Sequence, residues 1–249
     1  MERKYSNLIA SDHGSDYLTL VERSGFAVIQ NVIDIGTVNK LLIELENLKA
    51  DAAFKRRDGK TFGIRNLLNV FPPARELANN SLLRSLVESV LGNKARLVRG
   101  IYFDKHGEAN WKVAWHQDLT ITVCQRTEVE GYGPWSMKAG IQHVQPPVSI
   151  LEKMLALRLH LDDTDESNGA LRVIGGSHKH GRLDAHEIQS WKRQQDRITS
   201  CPVTKGGVMV MRPLLLHASS AASNPKHRRV LHFEYSSADL PCGLMWHEV

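Results

Sequence analysis

The stretch Leu155-Ala156-Leu157-Arg158-Leu159-His160-Leu161-Asp162 alternates strictly between apolar and polar residues. Side chains on a β-strand alternate between its two faces, so this period of two predicts a strand with Arg158, His160 and Asp162 on one face. The turn-forming run Asp165-Glu166-Ser167-Asn168-Gly169 follows, and residues 170–174 read as the returning strand. This strand–turn–strand unit predicts antiparallel β structure in the middle of the chain.

Further short strands are predicted on both sides of this unit. Their positions are residues 96–103, 112–123, 208–211 and 228–235. Residues 125–147 show no periodicity and contain Gly131-Tyr132-Gly133-Pro134-Trp135, so a long irregular loop is predicted there. Long loops inside compact domains are usually functional, and we expect a lid over residues 124–150, with an ordinary hairpin anchored by Trp135 as the alternative.

The first part of the chain has helical periodicity instead. Helices are predicted over residues 16–23, from the N-cap Asp34 onward and over residues 81–91, with a charged loop at residues 56–60. Helices followed by short strands predict an α+β, mainly β chain with an antiparallel barrel or sandwich as its core. We expect one domain over residues 1–249, mostly helical to residue 94, with the β core at 95–240.

Composition narrows the class of protein. Of the 249 residues, 42% are hydrophobic and 24% are charged, as in ordinary globular proteins, and no apolar run approaches the ~18 residues that span a bilayer. The polar N-terminus predicts no secretory signal, and three widely separated cysteines predict a reducing cytoplasm. The net charge of +5 permits a nucleic-acid partner, but the basic residues are dispersed along the chain, so we expect no nucleic-acid partner. A pocket for an acidic co-substrate would account for part of the excess positive charge.

The candidate metal-ligating residues lie in the segment Trp115-His116-Gln117-Asp118 and at the distant His217. His116 and Asp118 are two residues apart and would share one face of a strand. Two imidazoles and one carboxylate on one side of an ion form the facial triad of non-haem Fe(II) oxygenases, which leaves sites for a 2-oxo acid and O₂. The same His-x-Asp spacing recurs at His160 and Asp162, and spacing alone does not choose between the two copies.

A carboxylate-binding arginine strengthens the oxygenase hypothesis. A dicarboxylic co-substrate needs a fixed cation, and arginine offers a planar, permanently charged fork. Arg228 lies eleven residues after His217, next to Arg229. Neighbours on a strand face opposite ways, so only one of the two arginines can point inward. Ser219 could add a hydroxyl to the same carboxylate.

The chain resembles the phytanoyl-CoA dioxygenase family of Fe(II)/2-oxoglutarate oxygenases. The matching segments are residues 115–119, the hairpin at 168–179, His217-Ala218-Ser219 and Arg228. The resemblance implies a double-stranded β-helix (jelly-roll) core. It also places the metal on His116, Asp118 and His217, as those positions match the family motif.

The resemblance assigns roles to the remaining polar residues. It implies that Arg228 and Ser219 bind 2-oxoglutarate, and we expect Arg158 to contact co-substrate or substrate. The second motif falls where the family places no metal, so His160 is expected to line or pack the cavity. Substrate choice is expected in residues 130–147, and Trp135, His143 and His160 are the candidate substrate contacts. Related halogenases lack the carboxylate ligand, so Asp118 favours hydroxylation or another oxidation without halide.

These patterns predict an enzyme that uses Fe(II), 2-oxoglutarate and O₂ to oxidise a small molecule, with release of succinate and CO₂. Two alternatives stay open. The same chemistry could act on nucleic acid or protein, or the chain could be a metal-binding jelly roll without activity. The sequence does not indicate the oligomeric state.

Overall fold

A computed structural model describes residues 9–10, 16–48, 54–57, 60–107, 110–224 and 226–248. The helices are α1 Asp16–Ser24, α2 Ile35–Glu46, α3 Leu67–Val70, α4 Pro72–Ala78, α5 Ser81–Leu91, α6 Val148–Leu151 and α7 Ala185–Arg193. The strands are β1 Ile9–Ala10, β2 Phe26–Ile29, β3 Phe54–Arg57, β4 Lys60–Ile64, β5 Arg96–Lys105, β6 Val113–His116, β7 Ile121–Val123, β8 Trp135–Lys138, β9 Ile141–Val144, β10 Met154–His160, β11 Leu171–Ile174, β12 Ile198–Cys201, β13 Val208–Met211, β14 His217–Ser219 and β15 Arg228–Ser236.

Two facing sheets form the core. The larger sheet has the order β1-β2-β13-β10-β15-β5-β4-β3, and the smaller has the order β12-β11-β14-β6. Eight strands, β5, β6 and β10 to β15, contribute four to each sheet and cross between them as the chain proceeds. This is the topology of the double-stranded β-helix, so the predicted jelly-roll core is confirmed.

Strand β10 shows why the core has two different faces. Leu155, Leu157 and Leu159 point outward from the barrel and pack in one apolar cluster with residues of α1, α2 and α5. The alternate residues Arg158 and His160 are also buried, but they lie on the opposite face, between the sheets. The helices therefore cover the larger sheet from outside, and its inner face is left for polar chemistry.

The N-terminal helices follow their sequence signals closely. The Asn80 side chain accepts a hydrogen bond from the Leu83 backbone N–H at 2.8 Å, and α5 ends at Gly92 in the left-handed region, with a φ of 80°. Asp34 caps α2 in the same way, through the Thr37 backbone N–H at 2.9 Å. The predicted bounds of α5 and the predicted cap of α2 are confirmed. Burial of each apolar side chain on these helices contributes about 1.5–3 kcal/mol.

The segment predicted as an irregular loop contains a hairpin. Strands β8 and β9 pair across a two-residue turn at Ala139 and Gly140, both with positive φ, and β9 also pairs with β7. Ile141 and Val144 are buried on this small sheet. The hairpin alternative is therefore confirmed for residues 135–144, whereas residues 125–134 have no helix or strand, as the prediction of an irregular segment requires. The sequence signal is weak because Ala-Gly stands where two-residue hairpins usually have Asn-Gly.

Two other local predictions were wrong. Of the charged loop predicted at residues 56–60, Arg56, Arg57 and Lys60 lie on the paired strands β3 and β4 at the edge of the larger sheet, where charged residues are common, and residues 58–59 lie outside the described residues. The single strand predicted at residues 112–123 is split into β6 and β7. The break follows Gln117, whose buried amide bonds the Gly181 and Leu214 carbonyl oxygens at 2.8 and 2.7 Å and draws the chain off the strand path.

The C-terminal segment crosses back over the barrel. Trp246 forms a bridge to Val123 of β7, and the buried Glu248 carboxylate accepts backbone hydrogen bonds from Leu68 and Gly100 at 3.1 and 2.9 Å. Burial raises the pKa of Glu248 to about 7. This segment ties the small sheet to α3 and β5. All three cysteines are free, and no helix within the described ranges has the length and apolar character needed to cross a bilayer.

Candidate metal centre

The two histidines of the predicted triad face each other across the smaller sheet. His116 ends β6 and His217 begins β14, and the two residues are register partners in this antiparallel pair. Their ring centroids are 4.2 Å apart. In each ring Nδ1 lies 2.8 Å from the carbonyl oxygen two residues earlier in the chain, that of Ala114 for His116 and that of Leu215 for His217. Donation to a carbonyl fixes Nδ1 as the protonated nitrogen, so both Nε2 lone pairs are free for a metal.

Asp118 completes the group from the loop after β6. Its backbone N–H donates to the Pro213 carbonyl oxygen at 2.9 Å, which holds the loop against the barrel. One carboxylate oxygen lies 3.7 Å from His116 Nε2, and the other lies 3.7 Å from His217 Nε2. These distances are too long for hydrogen bonds, so three ligand atoms converge without contacting one another. The structure thus brings the three predicted ligands together, although Asp118 is not on a strand.

The electrostatics of this group favour the charge states that bind metal. Burial alone would raise the pKa of Asp118, but the fields of His217, His232 and His116 lower it below its usual value. Burial lowers the pKa of His217 to about 4. The carboxylate is therefore ionised and the imidazole is neutral at neutral pH, as metal ligands must be.

A cluster of cations lies next to the three ligands. Lys105 Nζ donates to the Ser219 hydroxyl at 2.7 Å, and Arg228, directly opposite Lys105 on β15, is buried. Burial, together with the charge of Arg158, lowers the pKa of Arg228 to about 9. Arg228 Nε and Nη1 and Arg158 Nε have no hydrogen-bond partner in the described part of the chain. Buried cationic donors without partners indicate a site built for an anion.

The neighbouring arginine has a different environment. Arg229 binds the carboxylate of Asp162 through Nε and Nη2, at 2.9 and 2.8 Å, on the outer side of β15. Of the two adjacent arginines, Arg228 is therefore the one that lines the cavity. The same contact uses Asp162 of the second His-x-Asp motif. His160 of that motif bonds Thr164 Oγ1 at 2.7 Å through Nδ1, and the two residues share no metal-binding group among the described residues.

A buried polar chain extends from Arg158 across the inner face of the larger sheet. Arg158 donates to His232 Nδ1 at 3.0 Å, and His232 Nε2 lies 3.3 Å from a Glu234 carboxylate oxygen. The same oxygen accepts from Arg99 at 3.2 Å, and a further Arg99 nitrogen lies 3.2 Å from His143 Nε2. This chain links the cation cluster to the far end of β5.

The metal ligands and the cations open into one cavity of about 290 Å³. Ser219, Arg158 and Arg228 line it, as the sequence predicted for co-substrate contacts. Trp135, His143 and His160 are not among the described residues that line it. Trp135 packs in the apolar cluster of the small sheet and lies under Arg126. His143 reaches the cavity only through Arg99, and His160 stands behind the lining with its Nε2 unpartnered.

Six charged or histidine residues of the lining were missed from the sequence: Arg65, Arg99, Lys105, Lys138, His232 and Glu234. A signal was present for two of them. Arg99, Ile101, Phe103 and Lys105 are alternate residues of β5 and share its inner face, as the period of a strand requires. Charged residues at both ends of such a face indicate a polar cavity. Arg65 and Lys138 enter from separate hairpins, and no local pattern marks them.

Comparison with known proteins places this geometry in a family. Residues 21–230 match the family described as Phytanoyl-CoA dioxygenase; the match includes the barrel strands from β5 to β14, the start of β15 and all three candidate ligands. The chain belongs to the phytanoyl-CoA dioxygenase family. The family resemblance predicted from residues 115–119, 168–179 and 217–228 is therefore confirmed.

Individual relatives are distant. Ectoine dioxygenase of Bordetella bronchiseptica is 23% identical over 186 residues, which is 72% of this chain and 52% of the relative. The chain thus spans about half the length of the curated relatives it matches. Among solved structures, EctD from S. alaskensis with bound Fe superposes with a TM-score of 0.69 at 17% identity, covering 93% of this chain and 82% of that one. HygX from Streptomyces hygroscopicus with nickel and 2-oxoglutarate bound gives 0.64 at 20% identity, covering 90% and 87%. These likenesses establish the shared fold.

Proposed function

We propose that this member of the phytanoyl-CoA dioxygenase family is an Fe(II)- and 2-oxoglutarate-dependent dioxygenase that oxidises a small organic molecule and releases succinate and CO₂. One observation carries the proposal. Three metal-ligand atoms converge in a cavity that is also lined by the buried Arg228, whose Nε and Nη1 have no hydrogen-bond partner among the described residues. A metal site alone would not require a buried cation beside it, whereas a chelating dicarboxylate requires both.

The residues fit the proposed cofactor. Two neutral imidazoles and one carboxylate suit Fe(II), and when bound it would activate O₂ for oxidation of a substrate carbon. His116, Asp118 and His217 would hold it, with both imidazoles already oriented by their backbone carbonyl bonds. The mixed nitrogen and oxygen donor set contains no thiolate, which argues against a structural zinc or iron–sulfur site.

The cation cluster would hold the co-substrate. Arg228 is proposed to bind the distal carboxylate of 2-oxoglutarate through its free Nε and Nη1, and Ser219 and Lys105 would add two more donors. Arg158 is held by His232 and lies between this end and the ligands, where it would stabilise the negative charge of the bound dianion. These residues fix the co-substrate before the substrate enters, which is the positioning part of catalysis.

A small substrate is favoured over a macromolecule. A cavity of about 290 Å³ is at the lower end of the ~300–1,000 Å³ typical of small-molecule sites. We propose that the β8–β9 hairpin, part of the predicted lid, closes this space, because Lys138 at the end of β8 lines it. The free cysteines support the expectation of a reducing cytoplasm.

Anaerobic titration tests the proposal against a non-catalytic metal-binding jelly roll. Fe(II) and 2-oxoglutarate together should give the visible charge-transfer absorption of the chelate, and aerobic turnover should release succinate. His116→Ala and Asp118→Ala should abolish both signals, while His186→Ala, at an exposed position on α7, should retain them. Full turnover in the ligand variants, or no absorption with the unmodified chain, would contradict the proposed function.

A further inference from the structure

Positive charge is placed at both ends of the ladder that β5 forms with β15. Lys105 pairs with Arg228 at one end, and Arg99 pairs with Glu234 near the other, where the ladder continues to Arg96 and Ser236. The six-residue step from Arg99 to Lys105 corresponds to about 20 Å along the strand. One co-substrate carboxylate at the Lys105 end would leave the Arg99 end unused.

The Arg99 end carries two cations that have no anionic partner. Arg65 directly follows Ile64, the last residue of β4. Ile64 pairs with Tyr102 of β5, so Arg65 joins the cavity lining close to Arg99. Lys138 comes from the end of β8. Neither side chain makes an ion pair or hydrogen bond with any described residue, whereas Arg99 is neutralised by Glu234 at 3.2 Å.

The three cations lie close enough to affect one another. Burial and then the charges of Arg65 and Arg99 lower the pKa of Lys138. Burial and the charge of Arg99 likewise lower the pKa of Arg65. Like charges brought together without a counter-ion destabilise the empty protein, and an anion bound among them would remove that cost.

Charge balance shows that the proposed cofactors do not supply this anion. The described lining contains six basic side chains (Arg65, Arg99, Lys105, Lys138, Arg158 and Arg228) and two carboxylates (Asp118 and Glu234). Because burial lowers the pKa of Lys105 to about 7, the excess at neutral pH is between three and four positive charges. Fe(II) and the 2-oxoglutarate dianion would add opposite charges of equal size. The excess therefore persists in the loaded protein.

An apolar wall connects the two ends. Ile101 and Phe103 project from β5 between the charged poles, and a second cavity of about 240 Å³ adjoins the first and shares these residues, Arg65 and Trp111. A carbon skeleton of a few bonds would cover this wall with one end at Arg65 and the other toward His116 and Asp118.

We propose that the substrate is a small organic acid whose carboxylate or phosphate group binds Arg65 and Lys138, with its carbon skeleton lying along Ile101 and Phe103 toward the metal ligands. Because this names the substrate class of the proposed oxygenase, it depends on that function. Because Lys138 is on the β8–β9 hairpin, an anionic substrate would attract this hairpin and favour closure of the site.

Three matched six-carbon probes test the proposal by calorimetry: hexanoate, hexyl phosphate and the neutral hexanamide. The protein is first loaded anaerobically with Fe(II) and 2-oxoglutarate, and loading is checked by its absorption. At least one of the two anions should bind at a 1:1 ratio at least about tenfold more tightly than the amide. Comparison of hexanoate with hexyl phosphate identifies the anionic group.

Substitutions locate the binding site. Arg65→Gln and Lys138→Gln should each weaken binding of the anion about fivefold or more, and the double variant should reduce it to the level of the amide. The affinity for 2-oxoglutarate should change less than twofold. Lys179→Gln, at an exposed position outside the cavity lining, is the matched control and should leave binding of both unchanged.

Two results would overturn the proposal: anions that bind no more tightly than hexanamide, or anion binding that is equal in the double variant. Either result with normal loading contradicts only the substrate class. Failure of the loading absorption in the unmodified chain contradicts the oxygenase function itself, so the two failures are distinguishable.

Discussion

Replacement of Arg228 by methionine should increase the stability of the protein without ligands and abolish its response to 2-oxoglutarate. Arg228 is 5% exposed, its Nε and Nη1 have no partner among the described residues, and Arg158 adds a like charge. Burial lowers its pKa to about 9, a shift that corresponds to roughly 5 kcal/mol of unfavourable free energy for the charged form at neutral pH. Methionine has a similar length and adapts to irregular space.

The measurable gain should be smaller than that shift, because water entering the cavity solvates part of the charge. We expect Arg228→Met to stabilise the ligand-free protein by about 1–2 kcal/mol, a rise in Tm of about 2–8 °C for a chain of this size. Saturation with 2-oxoglutarate at a hundred times its Kd should stabilise the unmodified, metal-loaded protein by about 2.7 kcal/mol. The variant should show no such increase.

Thermal unfolding with and without metal and 2-oxoglutarate measures both effects. Arg229→Met is the matched control, since it removes a partner of Asp162 on the other side of β15. It should lower Tm but keep the response to 2-oxoglutarate. A lower Tm for ligand-free Arg228→Met, or stabilisation by 2-oxoglutarate equal to that of the unmodified protein, would refute the reasoning.

Three further predictions concern stability and pH. Gly206→Ala should destabilise the protein by about 2–5 kcal/mol, because at a φ of 81° the added Cβ would lie 2.2 Å from the Ile33 carbonyl oxygen. Gly92→Ala is the control: it has a similar φ of 80° but nothing within 4 Å of the added Cβ, and it should cost about 1–2 kcal/mol. Urea unfolding measures both changes. The pKa of Glu248 is raised to about 7 from 4.5, so the folded state binds the extra proton and stability should fall by up to about 3 kcal/mol as pH rises from 4.5 to 7; Glu248→Gln should remove this slope. Burial lowers the pKa of Lys105 to about 7, so the Kd for 2-oxoglutarate should rise as pH increases above 7, and Lys105→Met should show weaker binding without that dependence in calorimetry.

The elements that were predictable from the sequence are those whose signals are local. The cap at Asn80, the stop at Gly92 and the apolar spacing between them determine α5, and strict alternation determines β10. The metal ligands were predictable for another reason. His, Asp and a distant His followed by Arg228 form a chemical pattern that does not depend on the exact secondary structure, so the group was identified even though Asp118 lies off the strand.

The features that were not predictable depend on partners far away in sequence. Gln117 breaks the strand because it binds backbone atoms near residues 181 and 214, and no local rule marks a glutamine for that role. Arg65 and Lys138 can be assigned to the cavity only once the fold has brought their two hairpins together there. The choice between Arg228 and Arg229 likewise required the facing direction of one strand. Its determinant, Asp162, is 67 residues away.

The contact between Asp162 and Arg229 also fixes the register in which β15 pairs with its neighbours in the barrel. Adjacent residues on a strand exchange faces when the pairing slips by one position, and β15 carries two arginines in succession. If β15 slipped by one residue, Arg229 would face the cavity and Arg228 would face outward. The cavity would then still contain one arginine at this position, so its charge alone would not favour the correct pairing. Asp162 removes this ambiguity, because it accepts bonds from the Arg229 guanidinium and from its backbone N–H at 2.9 Å. The second His-x-Asp motif belongs to no metal-binding group among the described residues, and its aspartate instead fixes the register that places Arg228 beside the first motif.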